Sequence, residues 1–396
     1  MALRDEYRDY PTTSTAAFGR VFYGQENRIL FSQIFVDDVN SLGRCYQRND
    51  PTSAQLSDVL PTDGGEVTLQ NSGRILRIEE YQRGIIAFAE RGVWYIYGPD
   101  SGFTATNYTQ TKITEFPLYS TLGVVNVGDV IYYIAENGIY AVNTNEFGRV
   151  VATNITEATI DSYYLDFVSK DISGIYDPVR KQIWYVNAST DEALVQDLRS
   201  QGFYPQKFEL TNDQDIPVTF RIEGEDLIYY TLEDTGTGYY NLLQLTDPTF
   251  EDLGTPFTSY VVTFEESLGK FSHRKSVPNI YLFFNKTEDN ITGFDGTSYT
   301  FDNPSGCQFR AEFDYTNSTS ANKYTQYRQV YRVNTRGYLL QSPTYPQPFD
   351  DGQSVVTYRD MIRGNGKSVR FRFQSEDNKD MQLLGYNVEY SMRGRQ

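Results

Sequence analysis

Few residues of this chain have the types and spacing that enzyme chemistry requires. The 396 residues include one histidine, His273, which lies in the polar, basic stretch Ser272-His273-Arg274-Lys275. A Ser-His-Asp or Cys-His arrangement needs a histidine as its base, but no Gly-x-Ser-x-Gly turn is present to carry a nucleophile. We interpret His273 as a solvated residue, and a single histidine excludes a metal site built from several.

Carboxylates and glycine-rich turns give no stronger catalytic signal. With 52 Asp and Glu residues, neighbouring pairs such as Glu223 with Glu225, or Glu265 with Glu266, are expected by chance, so they do not by themselves predict a glycosidase. The segment 363–368 ends in Gly-Lys-Ser, but it lacks the first glycine of a phosphate-binding loop and precedes a predicted strand. We therefore predict a protein that is not an enzyme and that carries no metal ion and no cofactor.

The clearest charged feature is a basic stretch near the end of an acidic chain. Formal net charge is −17, with 35 Lys and Arg against 52 Asp and Glu, yet Arg363, Lys367, Arg370 and Arg372 follow one another closely. Arg370 and Arg372 are two residues apart on a predicted strand and so share one face. We interpret the four as candidate subunit-docking residues for an acidic surface, including that of a neighbouring copy. The alternative is a strand kept soluble by its charges.

Charge and hydropathy also restrict the partners. An acidic protein is a poor candidate for binding the phosphates of DNA, although DNA can pass along it without being bound.

The first ten residues have no apolar stretch, so we expect no secretory signal. No apolar run approaches the roughly 18 residues of a membrane helix. The two cysteines, Cys45 and Cys307, have no metal-binding spacing, and we interpret them as buried, reduced thiols.

The secondary-structure signal is that of a β protein. Aromatic residues make up 15% of the chain, almost all of them Tyr and Phe, which favour strands. Short strand-like segments are separated by Gly, Asp, Asn and Pro clusters. Helical periodicity is nearly absent, and the best helix candidates are the short segments Thr156–Tyr164 and Glu192–Arg199.

One type of strand recurs along the first part of the chain. Each copy is a continuous apolar or aromatic run after a polar turn, which suits a strand buried on both faces. Successive copies are spaced by about 45 to 55 residues, which is typical of the blades of a β-propeller. The five copies are Arg28–Ser32, Gly84–Phe88, Asp129–Ile134, Lys181–Val186 and Asp226–Tyr230.

Two hairpin turns within these repeats are alike. The segments 89–92, Ala-Glu-Arg-Gly, and 135–138, Ala-Glu-Asn-Gly, match at three of four positions. We predict a positive φ for Gly92 and Gly138, because glycine adopts such a φ at little cost. The match favours repeated blades; the alternative is a β-sandwich with unrelated hairpins.

After about residue 250 the pattern changes. The segments Phe257–Glu265 and Val277–Phe284 indicate longer strands, and Ser368–Phe373 alternates strictly, with its apolar side chains on one face. The sequence therefore predicts an all-β protein with a propeller-like repeat domain over residues 1–250 and a β-sandwich-like C-terminal domain over residues 251–396.

Four segments of the chain, taken in order, carry a resemblance to a known family. They are Gly19–Gly24 running into Asn27–Ser32, the self-similar hairpin Arg83–Trp94, the strand pair Tyr176–Tyr185, and Ser368–Phe373 followed by Leu383–Val388. Their order resembles that of the tail nozzle proteins of short-tailed bacteriophages, also called tail hub or tail tubular proteins. Together the segments span most of the chain.

The resemblance implies a structural role in the virion. Members of that family form a six-membered ring below the portal and the adaptor, and DNA leaves through the axial channel. It thus implies a homo-hexamer in the virion tail, assembled in the cytoplasm of a bacterial host, with the adaptor protein and tail fibres as partners. Genomic DNA would pass without specific binding, because a negative wall does not hold phosphates.

Two other readings remain open. One is a free-standing propeller that binds or cleaves glycans, which would need an open pocket lined by acids and aromatic residues. Trp94 and Trp184, however, lie in predicted buried strands. The other is a tail fibre or baseplate component, which would be trimeric with a receptor-binding tip.

Overall fold

The structure, a computed structural model, describes most of the chain and consists almost entirely of antiparallel strands. It falls into two compact units, Met1–Leu245 and Thr246–Gln396. The described residues are 10–35, 39–46, 59–99, 102–190, 192–208, 219–223, 226–234, 240–245, 251–252, 255–285, 291–294, 299–301, 306–315, 325–332, 355–362, 364–377 and 379–392.

The first unit is a series of antiparallel sheets, each made from strands that are consecutive in the chain. Sheet I comprises β1 (Thr13–Ala17), β2 (Arg20–Gln25), β3 (Arg28–Phe31) and β4 (Gly65–Thr68). Sheet II comprises β5 (Ile75–Tyr81), β6 (Gly84–Ala89), β7 (Gly92–Tyr97) and β8 (Thr109–Thr114). Sheet III comprises β9 (Val124–Asn126), β10 (Ile131–Ala135), β11 (Gly138–Thr144) and β12 (Val150–Asn154).

The series continues with two further sheets. Sheet IV comprises β13 (Ile172–Asp177), β14 (Gln182–Asn187), β15 (Glu192–Asp197) and β16 (Gly202–Lys207), and the three-stranded sheet V comprises β17 (Thr219–Glu223), β18 (Asp226–Asp234) and β19 (Tyr240–Leu245). A 3-10 helix, Val39–Gly43, lies between β3 and β4, and helix α1, Asp161–Phe167, lies between β12 and β13.

Neighbouring sheets share their hydrophobic cores, as the blades of a propeller do. Along β6, Ile85 and Ala87 pack in the core that sheet II shares with sheet I. The alternate residues Ile86 and Phe88 pack in the core shared with sheet III. Because successive side chains of a strand point to opposite faces, a strand between two neighbours is apolar at every position. The prediction of an all-β, propeller-like fold is therefore confirmed.

The first strands of neighbouring sheets lie side by side. The Thr12 hydroxyl, just before β1, donates a hydrogen bond to the carbonyl oxygen of Ile75 on β5 at 2.7 Å. The Gly174 N–H of β13 donates to the Leu122 carbonyl, just before β9, at 2.9 Å. The fourth strands are more exposed than the middle strands of the same sheets. In sheets II, III and IV the fourth strand is thus the outer one.

The two matching hairpins have the predicted geometry. Gly92 has a φ of +130° and Gly138 a φ of +155°, and each follows a two-residue turn between the central strands of its sheet. A Cβ atom at Gly92 would lie 2.3 Å from the carbonyl oxygen of Thr114. Both the backbone conformation and the neighbouring strand therefore require glycine there.

The helix predicted over Glu192–Arg199 is wrong. Residues 192–197 form β15, which pairs with β14 and β16, and Ala193, Leu194 and Val195 are buried. Pairing on both sides and burial on both faces override the modest helix preference of Glu, Ala and Leu. The other predicted helix exists, but it begins at Asp161 instead of Thr156.

The second unit contains two antiparallel sheets that face each other across one core. Sheet VI has the strand order β22 (Tyr260–Val262), β30 (Val369–Ser375), β26 (Gly306–Phe313), β27 (Arg328–Arg332). In sheet VII, β23 (Lys275–Asn285) pairs with β28 (Val355–Met361), β29 (Asn365–Gly366) and β31 (Leu383–Met392). Two small pairs are β20 (Glu251–Asp252) with β21 (Thr255–Pro256), and β24 (Ile291–Phe294) with β25 (Tyr299–Phe301).

The core between sheets VI and VII is aromatic. Leu282 and Phe284 of β23 pack in the same cluster as Phe309 of β26 and Phe371 and Phe373 of β30. Strand β30 buries every second residue, and its less buried positions are polar. This arrangement is a β-sandwich.

Several residues weighed for chemistry lie inside the fold. Cys45 and Cys307 are free and buried, and burial raises the pKa of both thiols to about 12, which keeps them protonated near neutral pH. Trp94 and Trp184 are buried as well. Among the residues that the structure describes, no helix is long and apolar enough to span a membrane.

Candidate docking face

The outward side of sheet VI carries a patch of arginines. The central strands β26 and β30 pair antiparallel, with Arg310 opposite Arg372 and Glu312 opposite Arg370. Both strands alternate apolar residues that enter the core with polar residues on the other side of the sheet. The arginine face, as we call it, consists of Gln308, Arg310 and Glu312 of β26 with Arg370, Arg372 and Gln374 of β30.

One buried carboxylate joins two of the arginines. Glu312 accepts hydrogen bonds from Arg310 Nη2 and from Arg370 Nε, both at 2.5 Å. The Glu312 side chain is only 6% exposed, whereas those of Arg310 and Arg370 are 24% and 29% exposed. Charge-assisted bonds of this kind fix the guanidinium groups in place. The pairing orients both arginines.

Arg372 is held by an aromatic ring instead of a carboxylate. Its Cζ lies 4.6 Å from the ring centroid of Tyr260 on β22, a cation–π contact. The Nε of Arg372 is buried without a hydrogen-bond partner, and Arg372 has no ion pair within the described parts of the chain. On the same side of the sheet, Arg310 lies over Tyr327 at 4.7 Å. Two guanidinium groups of the arginine face thus lie against aromatic rings.

The structure brings together two of the four basic residues singled out from the sequence. Arg370 and Arg372 lie on the arginine face, as their spacing predicts. Lys367 lies in the turn before β30, where its backbone N–H donates to Asp314 Oδ1 at 2.6 Å and its side chain is exposed. Arg363 lies outside the described residues. The docking role of these residues stays a prediction.

Sequence reasoning missed Arg310, Glu312 and Tyr260. A signal for the first two was present, because residues 308–313, Gln-Phe-Arg-Ala-Glu-Phe, alternate in the same way as β30. No local sequence pattern predicts that Tyr260 lies beside Arg372, because that position depends on the pairing of β22 with β30, which are more than a hundred residues apart in the chain.

The carboxylate pair Glu265 and Glu266 forms hydrogen bonds within the sandwich. Glu265 Oε1 accepts a hydrogen bond from the Ser368 hydroxyl at 2.6 Å. The Tyr386 hydroxyl donates to Glu266 Oε1 at 2.7 Å. Burial, together with Glu266, raises the pKa of Tyr386 to about 12. In the described ranges no cluster of three or more His, Cys, Asp or Glu side chains could hold a metal ion.

A buried lysine links two turns beside the sandwich core. Lys275, at the start of β23, donates through Nζ to the carbonyl oxygens of Lys270 at 2.5 Å and Lys367 at 2.9 Å. Burial lowers the pKa of its ammonium group. Because both acceptors are backbone carbonyls, Lys275 acts as a tether that positions the turn before β30.

Comparison with known proteins extends to the fold alone. The sequence matches no protein-family model and no curated protein. Similar solved structures include a streptogramin B lyase (11% identity, 63% of this chain and 73% of that one, TM-score 0.33). Others are a luciferin-regenerating enzyme (11%, 64% and 76%, 0.32) and the β-propeller domain of Cps50 (Swd1) from Myceliophteria thermophila (12%, 62% and 75%, 0.34). Identities and TM-scores this low give no argument about activity.

Proposed function

We propose that this chain is a structural virion protein, a subunit of the homo-hexameric nozzle ring at the distal DNA exit of a short phage tail. The observation that carries the proposal is the arginine face, a cationic and aromatic surface on a chain of net charge −17. A second copy of an acidic chain presents the charge that such a face attracts. The resemblance of four ordered segments to tail nozzle proteins supplies the ring and its place in the tail.

The composition of the arginine face suits a contact between proteins. Arginine and tyrosine are enriched in interfaces, because each combines a large contact area with directional hydrogen bonds. Arg310 and Arg370 are oriented by Glu312, and Arg372 by Tyr260. A partner would therefore meet guanidinium groups that lose little conformational freedom on binding.

The charge of the chain fits passage of DNA without retention. An excess of 17 negative charges repels phosphates at long range. The proposal accordingly assigns no specific DNA contact to this protein. Its specific contacts are with neighbouring copies, with the tail adaptor and with tail fibres.

The first test is negative-stain electron microscopy of the purified protein at high concentration, with class averages examined for rotational symmetry. We expect a six-fold ring with an axial hole wide enough for duplex DNA. Uniform monomers, also in the presence of an adaptor ring as template, would overturn the proposal, as would trimers ending in a tip.

Two binding measurements complete the test. Electrophoretic mobility of duplex DNA should be unchanged by the protein at low ionic strength, where electrostatic binding is strongest. Glycan binding and hydrolysis assays should also be negative. Saturable binding or cleavage of a glycan by a monomeric protein would instead establish the free-standing propeller.

A further inference from the structure

Strand β22 forms one edge of sheet VI, and no described strand pairs with its outer side. The Ser375 N–H of β30 donates to the Ser259 carbonyl at 2.8 Å, and the Thr263 N–H donates to the Phe371 carbonyl at 2.9 Å. Backbone groups alternate in direction along a strand, so residues 259, 261 and 263 bond inward to β30. The N–H and C=O groups of Tyr260 and Val262 therefore point away from the sheet, and no described backbone pairs with them.

This edge lacks the features that normally prevent strand pairing. Residues 257–264, Phe-Thr-Ser-Tyr-Val-Val-Thr-Phe, contain no charge and no proline. Tyr260 is 55%, Val262 40% and Phe264 78% exposed. Two outer strands of the propeller sheets differ, since β8 contains a lysine and β16 both a proline and a lysine, whereas β12 contains neither a charge nor a proline. Charges and prolines discourage pairing at sheet edges, and their absence permits it.

Arg372 lies one strand inward from this edge, on the same side as Tyr260. Its guanidinium group extends toward the edge, where it lies over the ring of Tyr260. A strand added to β22 would lie about 4.8 Å beyond it, so a carboxylate on its outward side would come within reach of Arg372. Such a carboxylate would pair with the guanidinium group of Arg372, which has no ion pair in the described parts of the chain.

We infer that the edge of β22 and Arg372 together form a docking site for an extended, carboxylate-bearing segment of a neighbouring copy of this chain. The segment adds to sheet VI as a further strand, bonded through the main chain to Tyr260 and Val262. The inference rests on the self-assembly in the proposed function. With 52 Asp and Glu residues, the chain itself supplies candidate segments.

The composition of β22 fixes the type of contact. Residues 257–264 contain no carboxylate, so the edge cannot serve as its own acidic partner. The donated segment is therefore a different part of the neighbouring copy. Contacts between unlike surfaces are head-to-tail, and they form a ring when the rotation between neighbouring copies closes.

Sedimentation velocity of the full chain over a range of concentrations tests the site. Val262→Pro removes only the outward N–H, because Val261 and Thr263 carry the bonds to β30, and proline is tolerated at such edge positions. Val262→Thr keeps the N–H and is the matched control. Arg372→Gln removes the charge, and Arg372→Lys keeps a positive charge without the two-pronged geometry.

We expect the wild-type chain to associate, and the association to weaken as salt is raised. Val262→Pro and Arg372→Gln should each raise the dissociation constant by about tenfold or more. Val262→Thr should change it little, and Arg372→Lys should fall between wild type and Arg372→Gln. Far-ultraviolet circular dichroism and the melting temperature verify that each variant is folded.

A wild-type chain that stays monomeric at every soluble concentration would overturn the inference, as would unchanged association of folded Val262→Pro or Arg372→Gln. The outcome is separable from that of the proposed function. Rings that form equally well from both variants would refute the docking site and leave the nozzle intact. Association that depends on Val262 and Arg372 but gives no ring with a channel would confirm the site and refute the nozzle.

Discussion

Both units of this protein are built from antiparallel strands, but the strands of the two units differ in how many of their faces are buried. Central strands of the propeller sheets are buried on both faces, as Ile85 and Ile86 illustrate by packing in different cores. Strands of the sandwich are buried on one face, so Phe371 enters the core while Arg370 and Arg372 face outward. A sheet between two neighbours has no free face for binding, whereas a sheet in a two-layer sandwich has one.

The same contrast extends to the sheet edges. The outer propeller strand β8 carries Lys112, which pairs with the exposed Glu115. The outer strand β22 of the sandwich exposes Tyr260 and Val262 instead. Strand β8 is therefore protected against further strand pairing, whereas β22 is open to it. We assign stability to the propeller unit and contact with other molecules to the sandwich unit, and four predictions test this assignment.

The largest effect is expected from alkaline pH in the propeller. Burial raises the pKa of Tyr133, Tyr164 and Tyr185 well above the ordinary value. Above about pH 10 the unfolded chain releases these protons while the folded chain keeps them, so the free energy of unfolding falls as pH rises, by about 1.4 kcal/mol per pH unit for each group. Denaturant titrations followed by tryptophan fluorescence report this unit, because both tryptophans lie in it.

The variant Tyr185→Phe sharpens the alkaline experiment, since it removes one of the three ionisations. Its free energy of unfolding should decline less steeply above about pH 10 than that of the wild type. Equal slopes for the two proteins would show that Tyr185 ionises as readily in the folded chain as in the unfolded one.

Truncation of a side chain in a core shared by two sheets should lower the free energy of unfolding by nearly as much. Phe88 is fully buried in the core between sheets II and III, with its ring centroid 5.2 Å from that of Tyr133. We expect Phe88→Ala to lower the free energy of unfolding by about 3–5 kcal/mol. Phe147→Ala, at a side chain 85% exposed, is the matched control and should remain within about 0.5 kcal/mol. Similar losses in both variants would contradict the shared core.

Removal of the buried carboxylate tests the arginine face. Glu312→Gln weakens the bonds to Arg310 and Arg370 and should cost about 1.5–3 kcal/mol in chemical denaturation. Glu115→Gln removes the carboxylate of the exposed pair with Lys112 and should cost less than about 1 kcal/mol. A smaller loss for Glu312→Gln than for Glu115→Gln would mean that Glu312 does not hold the two arginines.

Two glycines differ in whether their position has room for a side chain. Gly92→Ala must adopt a φ of +130° and place a Cβ 2.3 Å from the Thr114 carbonyl oxygen, so we expect a loss of about 1–3 kcal/mol. Gly385→Ala, in β31 of the sandwich, meets nothing within 4 Å and should gain about 0.4–1 kcal/mol from the reduced entropy of the unfolded chain. Thermal unfolding of both variants measures the difference, and a destabilised Gly385→Ala would contradict the open space.

Much of the propeller follows from the sequence alone. Continuous apolar runs such as Gly84–Phe88 are buried on both faces, and the glycines at 92 and 138 adopt the φ expected from their turns. These features are local, because strand periodicity and turn chemistry depend on a few neighbouring residues. One short segment, Glu192–Arg199, shows the limit, since its local helix preference yields to pairing with two strands.

The sequence alone also determined that Arg370 and Arg372 share a face, because side chains two residues apart on a strand point the same way. Only the tertiary structure decided what lies beside them. Arg310, Glu312 and Tyr260 reach the same surface through pairings between strands far apart in the chain. Strand order is set by how whole sheets bury their apolar faces against one another, and no local pattern of residues contains that information.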